Sequence, residues 1–233
     1  GNEEESWNDF YVNLWRKRQN IVLQGAPGTG KTYCVPELVV RLCSPEFDAE
    51  NATREELMAE YNQLKVVHAM QQCRASEACL YASSGYGYND VGRDTLEEIY
   101  AATFHTESAL VRPQIACGTH ALAVALAGNL RPGDELLSPV GKPYDTLEEV
   151  IGIRPSNGSL AEYGVSYRQV DLLEDGSFDF ENIRKAINEK TKLVTIQRSK
   201  GYQTRPTLSV ARIGQLIDFI KEIKQDVICM VDN

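Results

Sequence analysis

Several things are scarce in this sequence of 233 residues, and each shortage closes a class of function. No apolar run approaches the roughly 18 residues that a membrane-spanning helix requires, so no membrane partner is expected. The opening Gly1-Asn2-Glu3-Glu4-Glu5 has no basic stretch ahead of an apolar one, so it does not read as a secretory signal, and a cytoplasmic location is expected. Because the first residue is Gly and not Met, the chain is read as starting within something longer or after processing. Basic residues are in deficit, 24 against 33 acidic for a net charge of −9, which opposes generic nucleic-acid binding. The six cysteines form no C-x-x-C pair and the three histidines show no ligand spacing, so neither a zinc ribbon, a redox dithiol nor a histidine metal site is indicated. Hydrophobic residues at 42% and charged ones at 24% are ordinary for a globular protein and exclude disorder, collagen and coiled coil.

What is present is an alternation of helical and strand-like patterns. Helices are expected over 7–18 and 31–42, from a Thr53/Glu56 capping box near Arg54 onward, over 95–104, 120–128 and 180–187, and through Val210, Ile213, Leu216, Ile217, Ile220 and Ile223. Short strands are expected at 21–23, from Ala109 toward Cys117, and at 135–138, 165–170, 193–197 and 227–231. Such alternation predicts an α/β fold, a mostly parallel sheet covered by helices. The helix from His120 is apolar on nearly every side, which predicts burial on both faces and a central position.

Two motifs carry chemistry. Gly25-Ala26-Pro27-Gly28-Thr29-Gly30-Lys31-Thr32 satisfies the phosphate-loop pattern between an apolar strand and a helix. There Gly25, Gly28 and Gly30 let backbone N–H groups surround phosphates, Lys31 reaches the β and γ phosphates, and Thr32 ligates Mg²⁺. ATP or GTP with Mg²⁺ is the cofactor this implies, yet the only acid closing an apolar strand is Asp232, some two hundred residues on. Residues 7–64 resemble the start of AAA+ ATPase domains of methylcytosine-specific restriction systems, a reading under which nucleic acid would be a partner.

The second set is Gly85-Tyr86-Gly87-Tyr88-Asn89-Asp90-Val91-Gly92-Arg93-Asp94-Thr95-Leu96-Glu97, Ala109-Leu110-Val111-Arg112-Pro113-Gln114, Gly118-Thr119-His120-Ala121, Gly141-Lys142-Pro143-Tyr144-Asp145-Thr146-Leu147-Glu148-Glu149 and Val231-Asp232-Asn233. From about residue 66 these resemble pyridoxal-phosphate (PLP) enzymes of fold type I, in the cystathionine-lyase and methionine γ-lyase group, closest to the branch of aluminium-resistance proteins. The resemblance implies that Gly118 and Thr119 hold the cofactor phosphate at a helix N-terminus. It implies that Tyr144 stacks on the pyridine ring and that Asp232 keeps the ring nitrogen protonated. Tyr88 would reach a neighbouring subunit's phosphate, with Arg93 replacing an arginine whose usual place Asp90 takes, so a homo-oligomer is expected. A small sulfur amino acid is the implied substrate. The family's Schiff-base lysine follows the aspartate by some twenty residues or more. Lys192 and Lys200 precede Asp232, and no catalytic lysine is expected within these 233 residues.

The domain division expected is 1–64, a phosphate-loop fragment, and 65–233, a PLP fold type I large domain that is incomplete. Three readings stay open: a carbon–sulfur lyase-like protein inactive in this form, a P-loop nucleoside triphosphatase, and a non-functional fusion of the two.

Overall fold

The computed structural model describes residues 52–81, 90–201 and 203–233, in two compact units that divide between Pro113 and Gln114. The elements expected over 7–42, the phosphate loop with Gly25, Gly28, Gly30, Lys31 and Thr32, and Tyr88 all lie outside the described residues.

In the first unit, helix α1 (Arg54–Gln72) starts as its sequence directs. The Thr53 N–H donates to the Glu56 carboxylate at 2.8 Å and the Glu56 N–H donates to the Thr53 hydroxyl at 3.3 Å, which satisfies two of the donors a helix start leaves open. The helix runs unbroken through 64–66, where the two sequence resemblances abut. A single 3₁₀ turn (Glu77–Leu80) follows, then α2 (Val91–Phe104). Helix α2 begins four residues before the expected Thr95, because the Asp90 carboxylate accepts from the Arg93 N–H at 3.1 Å and supplies the cap. Gly92 lets this helix come against the 3₁₀ turn, since a Cβ there would lie 2.1 Å from the Cys79 carbonyl oxygen. The strand expected from Ala109 is not formed. The Val111 N–H donates to the Glu97 carboxylate at 2.9 Å and Arg112 pairs with the same carboxylate, so a side chain of α2 takes the bonds a strand neighbour would need.

The second unit contains α3 (Gly118–Asn129), β1 (Glu135–Ser138), α4 (Asp145–Ile151), β2 (Ser166–Gln169), α5 (Phe180–Ala186), β3 (Thr191–Gln197), α6 (Val210–Ile223) and β4 (Ile228–Asp232). The four strands lie in the order β2-β1-β3-β4, all parallel, with Leu136 beside Leu193, Leu193 beside Ile228, and Gln197 beside Asp232. Both faces are covered, so the central strands β1 and β3 are buried along nearly their whole length, polar residues included. Leu137, Val194 and Ile196 face one core with Ile183 of α5 and Ile213, Leu216 and Ile220 of α6. Leu136 and Leu193 face the other, with Leu126 of α3, Leu130, and Leu147 and Ile151 of α4.

Helix α3 corrects an expectation. Leu126 is its only fully buried residue and Val124 is 42% exposed. The helix lies on an outer face of the sheet, so only the stripe of Leu122 and Leu126, with Leu130 beyond its end, finds a partner. Its other positions are mostly Ala and Gly, apolar in name but with little surface to bury.

Candidate functional site

The connections of a parallel sheet decide where its loops gather. Asn129, at the end of α3, leads through the Arg131-Pro132-Gly133-Asp134 turn into the start of β1, so α3 runs opposite to the strands and its Gly118 end lies toward their carboxyl ends. Twelve helical residues span about 18 Å, and four or five strand residues about 13–17 Å, so the helix start reaches that edge. Asp232 and Gln197 are register partners with the side-chain parity of Met230, Ile228 and Leu193, which pack into the core that α3 covers. The start of α3, the loop after β1 with Tyr144, the end of β3 and Asp232 therefore share one edge and one face. Open α/β sheets bind ligands at this edge.

At the start of α3, Cys117 takes the capping position with extended backbone (φ −163°, ψ 173°) and caps no N–H group with its side chain. Nothing lies within 4 Å of where a Gly118 Cβ would stand. The first turn, with Gly118 and Thr119, thus has no side-chain cap from Cys117 and stands at the positive end of a helix dipole, an arrangement that favours an anion.

Tyr144 immediately precedes α4 and is half-buried, its hydroxyl 2.5 Å from the Ser199 hydroxyl. Asp232 closes β4. Its backbone carbonyl accepts from the Arg198 N–H at 2.8 Å, while its carboxylate Oδ2 is buried with no hydrogen-bond partner among the described residues. Burial raises the pKa of this carboxyl above the ordinary carboxylate value. Beside it the Gln197 amide donates from Nε2 to the Ser199 carbonyl at 3.1 Å and leaves its Oε1 buried and equally without a partner. Two adjacent buried acceptors without a donor are costly, and such groups in a folded protein call for an explanation.

Sequence reasoning missed Gln197, Ser199 and Arg205. The Arg205 guanidinium donates to the carbonyls of Gln197 at 2.9 Å and Ser199 at 2.8 Å, and its burial lowers its pKa. These residues lie at the end of β3 and in the irregular segment before α6, where no periodicity marks them. Of the residues the sequence singled out, Gly118, Thr119, Tyr144 and Asp232 belong to this edge. Arg93 belongs to the first unit, in the first turn of α2, with its Nε 3.6 Å from Asp94. Among the described residues no group of three or more His, Cys, Asp or Glu could hold a metal ion, and no helix is long and apolar enough to cross a membrane.

Fold and edge together define an α/β protein with a parallel sheet covered by helices, whose carboxyl edge gathers Gly118, Thr119, Tyr144 and Asp232. The methionine gamma-lyase family profile matches residues 44–233, and the chain belongs to that family. The match excludes residues 25–32 and crosses the boundary expected at residue 64. The chain is 49% identical over 180 residues to the uncharacterized protein YnbB of Bacillus subtilis, across 76% of this chain and 43% of that one. A structure from Listeria monocytogenes, provisionally designated a cystathionine beta-lyase involved in aluminum resistance, superposes with a TM-score of 0.73 at 51% identity, over 76% of this chain and 45% of that one. A carbon-sulfur lyase involved in aluminum resistance from Clostridium novyi superposes with a TM-score of 0.71 at 52% identity, over 76% and 43% of the two chains. The chain thus spans less than half the length of these three relatives.

Proposed function

We propose that this chain carries the cofactor-binding part of a PLP-dependent carbon–sulfur lyase acting on a small sulfur-containing amino acid, within a homo-oligomer. The observation that carries the reading is the buried, unpartnered Oδ2 of Asp232, on the same edge and face as the uncapped start of α3. A phosphate matches the open N–H groups of Gly118 and Thr119, a flat ring matches Tyr144, and a ring N–H⁺ matches the Asp232 carboxylate. The residues fit the cofactor on all three counts.

When bound, PLP supplies an electron-withdrawing ring that weakens bonds at the α-carbon of an amino acid. The chain's own work is to hold that ring and its charge. Asp232, desolvated at the end of β4, gains most from a cation beside it, because the low-dielectric surroundings that disfavour the lone carboxylate strengthen its attraction to a positive partner. Proton and carboxylate then stay on opposite sides of one hydrogen bond, and the ring nitrogen keeps its charge. Tyr144 limits the ring to one plane, and the first turn of α3 fixes the phosphate end. Arg93 and Tyr88 serve the phosphate from the first unit of a neighbouring copy in this reading.

Titration of the chain with PLP, followed by absorbance and by equilibrium dialysis, tests the proposal. Saturable binding is expected, and pyridoxal without the phosphate should bind at least tenfold more weakly. No saturable PLP binding, or equal affinity for the two compounds, would overturn it.

A further inference from the structure

The residues that follow β3 make an unusual set of contacts with the loop that carries Tyr144. Gly201 has φ +55°, and a Cβ there would lie 2.5 Å from Tyr144 Cε1, 3.1 Å from Cζ and 3.3 Å from Cδ1, distances at which something must shift. The aromatic ring thus rests directly against the Gly201 backbone. The Ser199 hydroxyl meets the far end of the same side chain, 2.5 Å from the Tyr144 oxygen. Two residues upstream of Tyr144, the Lys142 carbonyl accepts from the Gln203 amide at 3.1 Å. Arg205 ties these together: its Nε donates to Gln203 Oε1 at 2.9 Å, which orients that amide so that Nε2 is free for Lys142. Its other arm holds the carbonyls of Gln197, the strand's last residue and the neighbour of Asp232, and of Ser199 just beyond the strand.

We propose that Ser199, Gly201, Gln203 and Arg205 form a clasp that fixes the plane of the Tyr144 ring against the Gly201 backbone, and so determines how a flat cofactor ring stacks at this edge. The proposal rests on the PLP reading above for its ligand, and on the contacts alone for the clasp. Gly201 is the seat, because any side chain there occupies the volume of the Tyr144 ring. Ser199 is the stop at the hydroxyl end. Arg205 and Gln203 bind the seat to both neighbouring loops, so the ring orientation is tied to the same strand end that positions Gln197. All four are positioning residues and act through Tyr144.

A double-mutant cycle separates the seat from the strain of placing a side chain at positive φ. Gly201→Ala should lower the melting temperature of the ligand-free chain by several degrees, and by at most half as much in a Tyr144→Ala background, where the ring is gone and only backbone strain remains. PLP should bind Gly201→Ala about tenfold more weakly, a loss of about 1.4 kcal/mol. The visible circular dichroism of the bound PLP, which reports the orientation of its ring, should change. Ser199→Ala, with little risk to folding, should alter that dichroism while leaving the melting temperature within a degree or two. Equal melting losses for Gly201→Ala in both backgrounds would overturn the seat. Unchanged PLP affinity and dichroism in both Gly201→Ala and Ser199→Ala would overturn the clasp as a positioning device. If the unmodified chain binds no PLP, the cofactor reading fails and the melting cycle still decides whether the ring is seated on Gly201.

Discussion

Two carboxylates stand at opposite ends of the same sheet and are treated in opposite ways. Glu135, at the amino end of β1, is 5% exposed. It accepts from Asn188 Nδ2 at 2.7 Å, from the Thr191 hydroxyl at 2.9 Å and from Arg168 Nε at 3.0 Å. Asp232, at the carboxyl end of β4, buries an oxygen that accepts from nothing among the described residues, and burial pushes its pKa up. The first group is complete as it stands and joins β1, β2, β3 and the turn before β3. The second is held in a state that destabilises the ligand-free protein. An unsatisfied buried group calls for an explanation, and under the function proposed above the amino edge of this sheet serves stability and the carboxyl edge a ligand.

The largest effect that tests this contrast is on stability. Glu135→Ala removes one acceptor and leaves a buried hydroxyl, a partly buried amide and a half-exposed guanidinium without it, which should cost about 3 kcal/mol, read from the midpoint of urea unfolding. PLP affinity should not change. Weakened PLP binding with intact stability would erase the distinction between the two edges.

Asp232→Asn should behave in the reverse manner. PLP affinity should fall at least tenfold, while the ligand-free chain at pH 7 should be as stable as the unmodified one or slightly more so, because a charge that is costly to bury has been removed. A clear loss of ligand-free stability would place Asp232 with Glu135 among the structural groups.

The smallest effect is a dependence on pH. A carboxyl whose folded pKa is raised binds its proton more readily in the folded state than in the unfolded one. Between the ordinary carboxylate value of 3.8 and the raised value of Asp232, its contribution to stability therefore grows as pH falls and is lost as pH rises. The carboxyl is only partly buried, so solvent screening keeps the effect small. It should appear as a difference in pH slope between the unmodified chain and Asp232→Asn, measured by urea unfolding across that window, and should vanish when PLP is bound.

Much of the architecture was legible from residue patterns. Thr53 and Glu56 announced the start of α1, the spacing of Ile213, Leu216 and Ile220 gave α6, and the short strand patterns at 135–138 and 193–197, set between turns and helices, gave the two central strands of a parallel sheet. The failures have physical causes. Ala109, Leu110 and Val111 look like a strand, but a side chain of α2 engages their backbone. The composition of α3 overstated its burial, because alanine counts fully in an apolar tally and little in buried area. Gly118, Thr119, Tyr144 and Asp232 were singled out through family resemblance, and their gathering at one edge follows from the parallel topology. Ser199 and Gly201 were not readable, since their significance lies in contacts with a loop more than fifty residues earlier in the chain, and Arg205 bonds to carbonyls of an irregular segment that no periodicity marks. That Asp232 Oδ2 finds no partner among the described residues is likewise a property of the packed edge and has no signature in sequence.

Nitrogen NMR of PLP labelled with ¹⁵N in its ring reads the contact between the ring nitrogen and Asp232 most directly. Bound to the unmodified chain, the ring nitrogen should remain protonated well above the pH at which free PLP loses that proton. In Asp232→Asn it should titrate close to the free compound. Identical titration of the bound ring nitrogen in the two proteins would contradict the assignment of the carboxyl edge as the cofactor's charge partner.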